Sequence, residues 1–379
     1  MSQGTTHIIG AGLAGLSAAT RLAEAGRQVV VYEAAAQAGG RCRSYYDTAF
    51  GDTIDNGNHL LLSGNEAALN YLRRIRARTP KGMGIPEFPF INVATGKRWS
   101  VYATYKTLPR WLFDKNYRGV FDQIMVSALN TSPREASMRL LGAIIFGTIL
   151  KGSKACIPIV AEGLSAVLVD PALRYLAASN TGVKFQHRLR NILFEDGMAV
   201  ALNFGDGDIV DINQNDTVIC AIPPWVAVSL LPGISAPDEY RAILNAHFRI
   251  TPPAQLGRIT GVVGGTTEWI FAFPDRISIT VSDADRLMQE DREVLAKRLW
   301  AEISTITGLA SALPAWQIVK EKRATFAATP RQDAKRPDTR TSWNNLYLAG
   351  DWVQTGLPST IEGAVLSGER AANLVLEKA

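Results

Sequence analysis

Three glycines, at 10, 12 and 15, sit between the apolar pair Ile8-Ile9 and an Ala/Leu-rich run from Leu16 to Ala25. Strand, G-x-G-x-x-G and helix in that order restrict what the first forty residues can fold into. Gly10 permits the tight turn, Gly12 lets backbone approach a pyrophosphate, and Gly15 allows helix and strand to pack closely. The start of the helix would aim free N–H groups and a partial positive charge at that phosphate, with Leu13 and Ala14 lining the turn. A second strand, Gln28 to Tyr32, ends at Glu33, 21 positions after Gly12. A carboxylate there, followed by Ala34, suits the hydroxyls of an adenosine ribose. It would repel a 2′-phosphate, which argues against NADP and leaves FAD or NAD.

Gly39-Gly40-Arg41 follows closely. Two glycines and a fixed cation suit a second backbone approach to the same pyrophosphate, with Arg41 neutralising it. With Arg41-Cys42-Arg43-Ser44, the arrangement resembles the FAD-binding start of the amine oxidase and phytoene desaturase superfamily, and FAD is the cofactor that resemblance implies. The fold it implies is α/β: a Rossmann-like FAD-binding domain of the GR2 flavoprotein type with an interleaved α+β substrate domain. The expected division is 1–80, 156–225 and 321–379 for the FAD domain, and 81–155 and 226–320 for the substrate domain.

The chain has 379 residues, 47% hydrophobic and 20% charged, enough for a large core and unlike a disordered protein. No apolar run reaches the ~18 residues of a spanning helix. The first strand follows the N-terminus directly, so no signal peptide is expected. Three cysteines, Cys42, Cys156 and Cys220, lack metal-ligand spacing and fit a reducing cytoplasm; no metal is expected. Net charge +5 comes from scattered basic residues without a nucleic-acid module. Between Phe88 and Phe121, aromatics (Trp99, Tyr102, Tyr105, Trp111, Phe113, Tyr117) alternate with Lys97, Arg98, Lys106, Arg110, Lys115 and Arg118. That pattern suits the wall of a substrate domain or peripheral contact with the inner face of the cell membrane.

Asp55-Asn56-Gly57-Asn58-His59 places polar side chains around a glycine just before Leu60-Leu61-Leu62, a backbone that must pass close to something before re-entering the core. The D-x-G-x-H pattern resembles one branch of the superfamily, the hydroxysqualene dehydroxylases, where the chain passes the flavin ring; Asn58 stands where relatives commonly have Gln. Gly57, Asn58 and His59 are therefore expected at the cofactor. Further along, Pro133 to Leu150 reads as a helix and Val183 to Leu189 as a strand. The resemblance puts Leu189 against the adenine. Trp269 to Phe273 is strand-like, and Thr329 to Thr341 reads as a loop.

Asn345 to Ala349 forms a strand ended by Gly350-Asp351, and Ser359, Thr360 and Glu362 signal a helix start. N–H groups of Thr360 and Ile361 would face the flavin, Asp351 the ribityl or pyrophosphate region, and Gly363 and Ala364 would remove bulk near the ring. The phrase from Gly350 to Ala364 again resembles the hydroxysqualene dehydroxylases, as do Leu129-Asn130-Thr131, Glu162 to Ser165 and Trp269 to Phe271.

The reaction this resemblance implies is reductive removal of the hydroxyl of hydroxysqualene to give squalene, with hydride passing from reduced flavin N5 to an allylic carbon. That chemistry needs an acid for the leaving water and a dry, cation-tolerant pocket. His59 and Asp55 are the expected proton sources, and Trp269, Phe271 and Phe273 the expected pocket aromatics. A lipophilic isoprenoid and an external electron donor are the expected partners. A carotenoid-type desaturase or an amine oxidase are the alternatives on the same fold.

Overall fold

The computed structural model describes residues 4–78, 80, 82–103 and 115–378, with the side chains of 115–118 and 149 set aside. Tyr105, Lys106, Arg110, Trp111 and Phe113 thus lie outside the described residues, as do the side chains of Lys115, Tyr117 and Arg118.

Thr6–Ile9 is central in a five-stranded parallel sheet. Val29–Tyr32 and then Gly182–Lys184 lie on one side of it, Thr217–Cys220 and then Leu346–Leu348 on the other. Thr6–Ile9 and Thr217–Cys220 are buried at every position, as a parallel sheet covered on both faces demands. Because the chain leaves the central strand in both directions, a crevice opens beyond the carboxyl ends of the strands, between Gly10 and Ala221; such switch points bind ligands. The third strand stops at Lys184, short of the expected Leu189. Gln186 takes a left-handed φ of 59°, and the amides of Gln186 and His187 bond back to the carbonyls of Ala35 and Glu33 at 3.0 and 2.9 Å.

The two ends of the chain meet behind this sheet. Leu13–Glu24 packs on the C-terminal helix Ile361–Glu377 so closely that a Cβ on Gly368 would lie 2.1 Å from the Ala14 carbonyl oxygen. Ser17 Oγ donates to the Val365 carbonyl at 3.0 Å across the same contact.

A second, seven-stranded sheet runs in the order 316–326, 240–248, 277–281, 269–272, 259–263, 87–92, 98–102. Side chains alternate along its strands. Ile270, Ile277 and Ile279 point to the helix Arg292–Thr307 and pack with Leu299 and Trp300. Trp269 and Phe271 point the other way, toward Met125 of the helix Lys115–Leu129. The strand Trp316–Phe326, on the edge of this sheet, runs straight through the expected domain boundary at 320/321.

Two expectations change in detail. The helix read over Pro133–Leu150 spans Met138–Gly147, because Ser137 N–H is held by the Ala328 carbonyl at 2.7 Å. The loop read over Thr329–Thr341 holds a short helix, Pro330–Ala334, whose Thr329 side chain caps the Gln332 amide.

Candidate functional site

One continuous cavity of about 1480 Å³ runs from the glycine turn to the inner face of the seven-stranded sheet. Gly10, Gly12, Leu13, Ala14, Glu33, Ala34, Gly40, Arg41, Leu189, Gly350, Asp351, Thr360 and Ile361 all line it, as do Gly57, Asn58 and His59. The three glycines of the first turn differ in what surrounds them. Gly10 has φ 103° and a Cβ there would strike the Ala221 carbonyl at 2.4 Å. On Gly15 it would sit 1.9 Å from the Gly10 oxygen. On Gly12 it would meet no heavy atom within 4 Å, so that backbone is bare toward the cavity.

The second glycine pair is bonded directly to the first turn. Gly39 N–H donates to the Ala11 carbonyl at 2.8 Å, and Gly12 and Gly39 form an isolated parallel bridge. Glu33 braces the turn: its carboxylate accepts from the Ala11 amide at 2.7 Å and the Ala35 amide at 2.8 Å. Arg41 donates to Asp351 Oδ1 and to the Ala324 carbonyl, both at 2.5 Å. Burial alone would push the Asp351 carboxyl up, but Arg41 and the Ser359 hydroxyl hold it below the ordinary range. Asp351 is therefore ionised, and the Arg41–Asp351 pair is internally neutral.

Arg336 completes this half-site, and nothing in its sequence surroundings singles it out. Its side chain is fully enclosed and donates to the carbonyls of Asp351, Trp352 and Val353 at 3.3, 3.3 and 2.6 Å, fixing the loop after Gly350. Thr360 caps the C-terminal helix by accepting from Gly363 N–H at 3.0 Å. Glu362 does something else. Its carboxylate accepts from the amides of Ala67 and Ala68, at 2.9 and 2.8 Å, and so caps the helix Glu66–Arg74. Gly363 makes room for its own loop, since a Cβ would lie 2.8 Å from the Pro358 oxygen, rather than for a ring.

At the other end, Phe88, Met125, Ile144, Ile259, Trp269 and Phe271 build a largely hydrocarbon wall. Phe273 does not reach it, which corrects the expectation. The strand ends at Ala272, Phe273 N–H turns to the Arg276 carbonyl at 2.9 Å, and the Arg276 guanidinium sits 4.4 Å from the ring centre.

Asp55 also stays off the cavity surface. It is 2% exposed, and its Oδ1 accepts from the Ser44 hydroxyl at 2.5 Å and the Leu164 amide at 2.8 Å. Its chemistry is that of a clamp, so it is withdrawn as a proton source. His59 does line the cavity, with Nε2 3.9 Å from Cys42 Sγ. Burial lowers its pKa to about 4, against the opposing pull of Asp55, so the ring is neutral at pH 7. Burial likewise pushes the Cys42 thiol up to about 12.

A polar seam crosses the otherwise apolar wall. Asn58 Nδ2 donates to Thr280 Oγ1 at 3.1 Å, and Thr280 donates to Asn245 Oδ1 at 2.8 Å. Behind it, His247 Nε2 lies 3.1 Å from the Asp55 carbonyl oxygen and Nδ1 lies 2.8 Å from Ser278 Oγ. A carbonyl can only accept, so the proton is on Nε2 and Ser278 donates to Nδ1. Among the described residues no group of three His, Cys, Asp or Glu side chains could hold a metal, and no helix is long and apolar enough to cross a membrane.

The model of the family described as flavin containing amine oxidoreductase matches residues 13–110 and 112–376. The hydroxysqualene dehydroxylase of Rhodopseudomonas palustris is 49% identical, with 98% of each chain covered. That of Sinorhizobium fredii is 45% identical, again over 98% of each. Among solved structures, a putrescine oxidase variant superposes with a TM-score of 0.73 at 17% identity, covering 100% of this chain and 99% of that one, a likeness of fold. A flavin is thus the cofactor of this family, and the bare backbone at Gly12 with the neutral Arg41–Asp351 pair forms a cradle suited to one.

Proposed function

From the premise that this chain belongs to the flavin-containing amine oxidoreductases and, within them, to the hydroxysqualene dehydroxylases, we propose that it removes the hydroxyl of hydroxysqualene to give squalene. The observation that carries this reading is the continuity of the cavity. A cradle for a dinucleotide and a hydrocarbon-lined chamber are one space, so a cofactor ring at their junction would meet a lipophilic substrate without water between them.

The cofactor is FAD in this reading. Gly12, Gly40 and Arg41 would hold the pyrophosphate, Glu33 the adenosine ribose, Leu189 the adenine, and Asp351 the ribityl or pyrophosphate region. Gly57, Asn58 and His59 would lie toward the ring. Thr360 and Ile361 present the start of a 17-residue helix to it, where the aligned peptide dipoles stabilise negative charge by ~0.3–2 kcal/mol. When bound and reduced, the flavin supplies hydride.

The chain's own residues do the rest. The hydrocarbon wall excludes water from an electron-deficient allylic carbon, and the faces of Trp269 and Phe271 stabilise positive charge by ~0.5–2 kcal/mol each. Neutral His59 offers a hydrogen bond to the substrate oxygen rather than a proton. An external donor reduces the flavin, and substrate enters from the lipid phase through peripheral contact with the membrane.

Anaerobic incubation of the photoreduced holoprotein with hydroxysqualene, phytoene and simple amines tests the assignment. Squalene formed only from hydroxysqualene, with stoichiometric flavin reoxidation, is the expected result. Turnover of phytoene or amines by the oxidised protein, with hydroxysqualene untouched, would overturn it.

A further inference from the structure

An allylic hydroxyl leaves readily only as water, so a proton must reach its oxygen. Asp55 is locked behind the chamber, and His59 is neutral. We propose that the proton comes from Glu268 and reaches the substrate oxygen through the hydroxyl of Ser282. This rests on the reading above, that an alcohol is the substrate.

Glu268 immediately precedes Trp269, whose side chain lines the chamber, while its own side chain stays outside the lining. Its Oε2 accepts from the Ser282 amide at 2.7 Å, and the Ser282 hydroxyl faces the same carboxyl. Ser282 does line the chamber. It therefore touches both the acid and the substrate space. Ser282 also lies two positions past Thr280, which holds Asn58 at 3.1 Å. Ser282 lies just past the end of the strand Ile277–Val281 and shares the cavity lining with Thr280 and Asn58.

The surroundings suit a carboxyl that carries a proton near neutrality. Burial raises its pKa to about 7, with the Ser282 hydrogen bonds and Arg286 opposing and Asp283 adding to the rise. From the helix Lys115–Leu129, Gln123 spends its amide on the Glu268 backbone carbonyl at 2.6 Å and leaves the carboxyl alone. Among the described residues no cation forms an ion pair with it. Two other carboxylates are already held, Glu302 by the amides of Thr266 and Thr267 and Asp333 by the Arg139 guanidinium.

The step balances. As the Ser282 proton moves to the substrate oxygen, the Glu268 proton replaces it on Ser282 Oγ. The C–O bond breaks with both electrons going to oxygen, and water is released. Hydride from the reduced flavin, which the proposed reaction already supplies, fills the vacancy at carbon. The Glu268 carboxylate regains its proton from solvent.

Glu268→Gln keeps an acceptor for the Ser282 amide and removes the proton, so it separates an acid from a structural brace. In anaerobic single turnovers of the reduced holoprotein with hydroxysqualene, E268Q should react ~100-fold or more slowly, the usual worth of a general acid. Flavin content and substrate affinity should stay within about twofold, a margin well below tenfold per 1.4 kcal/mol. Glu268→Asp should recover part of the rate, and Ser282→Ala should slow it with the acid intact. Infrared difference spectra should show a protonated-carboxyl carbonyl band that disappears as pH rises through about 7 and is missing from E268Q. E268Q or S282A turning over at the wild-type rate, or no such band, would overturn the proposal. If E268Q does not fold, E268D and S282A carry the test. Wild-type protein that leaves hydroxysqualene untouched would instead overturn the substrate assignment, while the infrared arm still reads the proton on Glu268.

Discussion

Arg41 and Asp351, 310 residues apart, meet at 2.5 Å in an ion pair at the cofactor cradle, one of several that join the two ends of the chain. The pair needs its surroundings. Ser359 adds a hydrogen bond to the carboxylate, Arg336 holds the backbone carbonyl of Asp351, and Ala324 accepts from Arg41. In the proposed reading, a cofactor pyrophosphate would meet a platform whose own charges are already paired, leaving the bare N–H groups and the dipole of the C-terminal helix to hold it.

Asp351→Asn should leave the Arg41 cation uncompensated. Arg41 has 40% of its side chain accessible along the cavity, so the cost is about 1–2 kcal/mol rather than the larger penalty of a dry site. The expected outcome is a lowered Tm and flavin lost on gel filtration. A variant retaining full flavin content would show that the pair is not part of the cradle.

Gly12 and Gly15, three residues apart, should respond in opposite ways to an added methyl. Gly12→Ala has open space in the protein and should fold with near-normal Tm, yet purify with little flavin. Gly15→Ala forces a Cβ to 1.9 Å from the Gly10 oxygen and should lower Tm or solubility. Thermal melts beside flavin absorbance separate the two effects.

How much of this was legible beforehand depends on distance along the chain. The glycine turns, Glu33, Arg41 and Gly350-Asp351 form short local patterns, and all but Gly15, which packs against the Gly10 carbonyl, line one cavity. Phe273 lies one residue past the end of the strand Trp269–Ala272, in a turn toward Arg276 that no local pattern marks. Asp55 lies in the right segment, but only the fold shows it buried with Oδ1 held by Ser44 and Leu164. Arg336, His247 and Glu268 have no local signature. Their roles come from partners that only tertiary packing supplies, the Trp352 loop, the Asp55 carbonyl and Ser282.

Acid stability should follow the buried histidines. Burial lowers His247 to about 4, so the folded protein refuses a proton that the unfolded chain accepts below about 6.5. No cost arises above that pH, and stability falls as pH drops from about 6.5 toward about 4, where the folded form begins to bind the proton as well. His59, lowered in the same way, adds to the slope. Urea midpoints at pH 7 and pH 5 should differ more for the wild type than for His247→Asn, even if the variant is weaker at both. Equal differences would mean His247 does not carry the acid limb.

Ala128, on the helix Lys115–Leu129, lines the hydrocarbon chamber. Ala128→Trp should fill that space without touching the cradle. Flavin content should be retained and conversion of hydroxysqualene largely lost. Unchanged conversion would place the substrate elsewhere.

The most direct measurement of the central claim follows one reduced flavin and one alcohol together. Holoprotein photoreduced in D2O, so that the exchangeable flavin N5 position carries deuterium, is mixed anaerobically in the same solvent with hydroxysqualene, and flavin absorbance and product mass are recorded. The account predicts reoxidation in step with squalene that carries one deuterium per flavin consumed. Squalene without the label, or reoxidation without squalene, would contradict it.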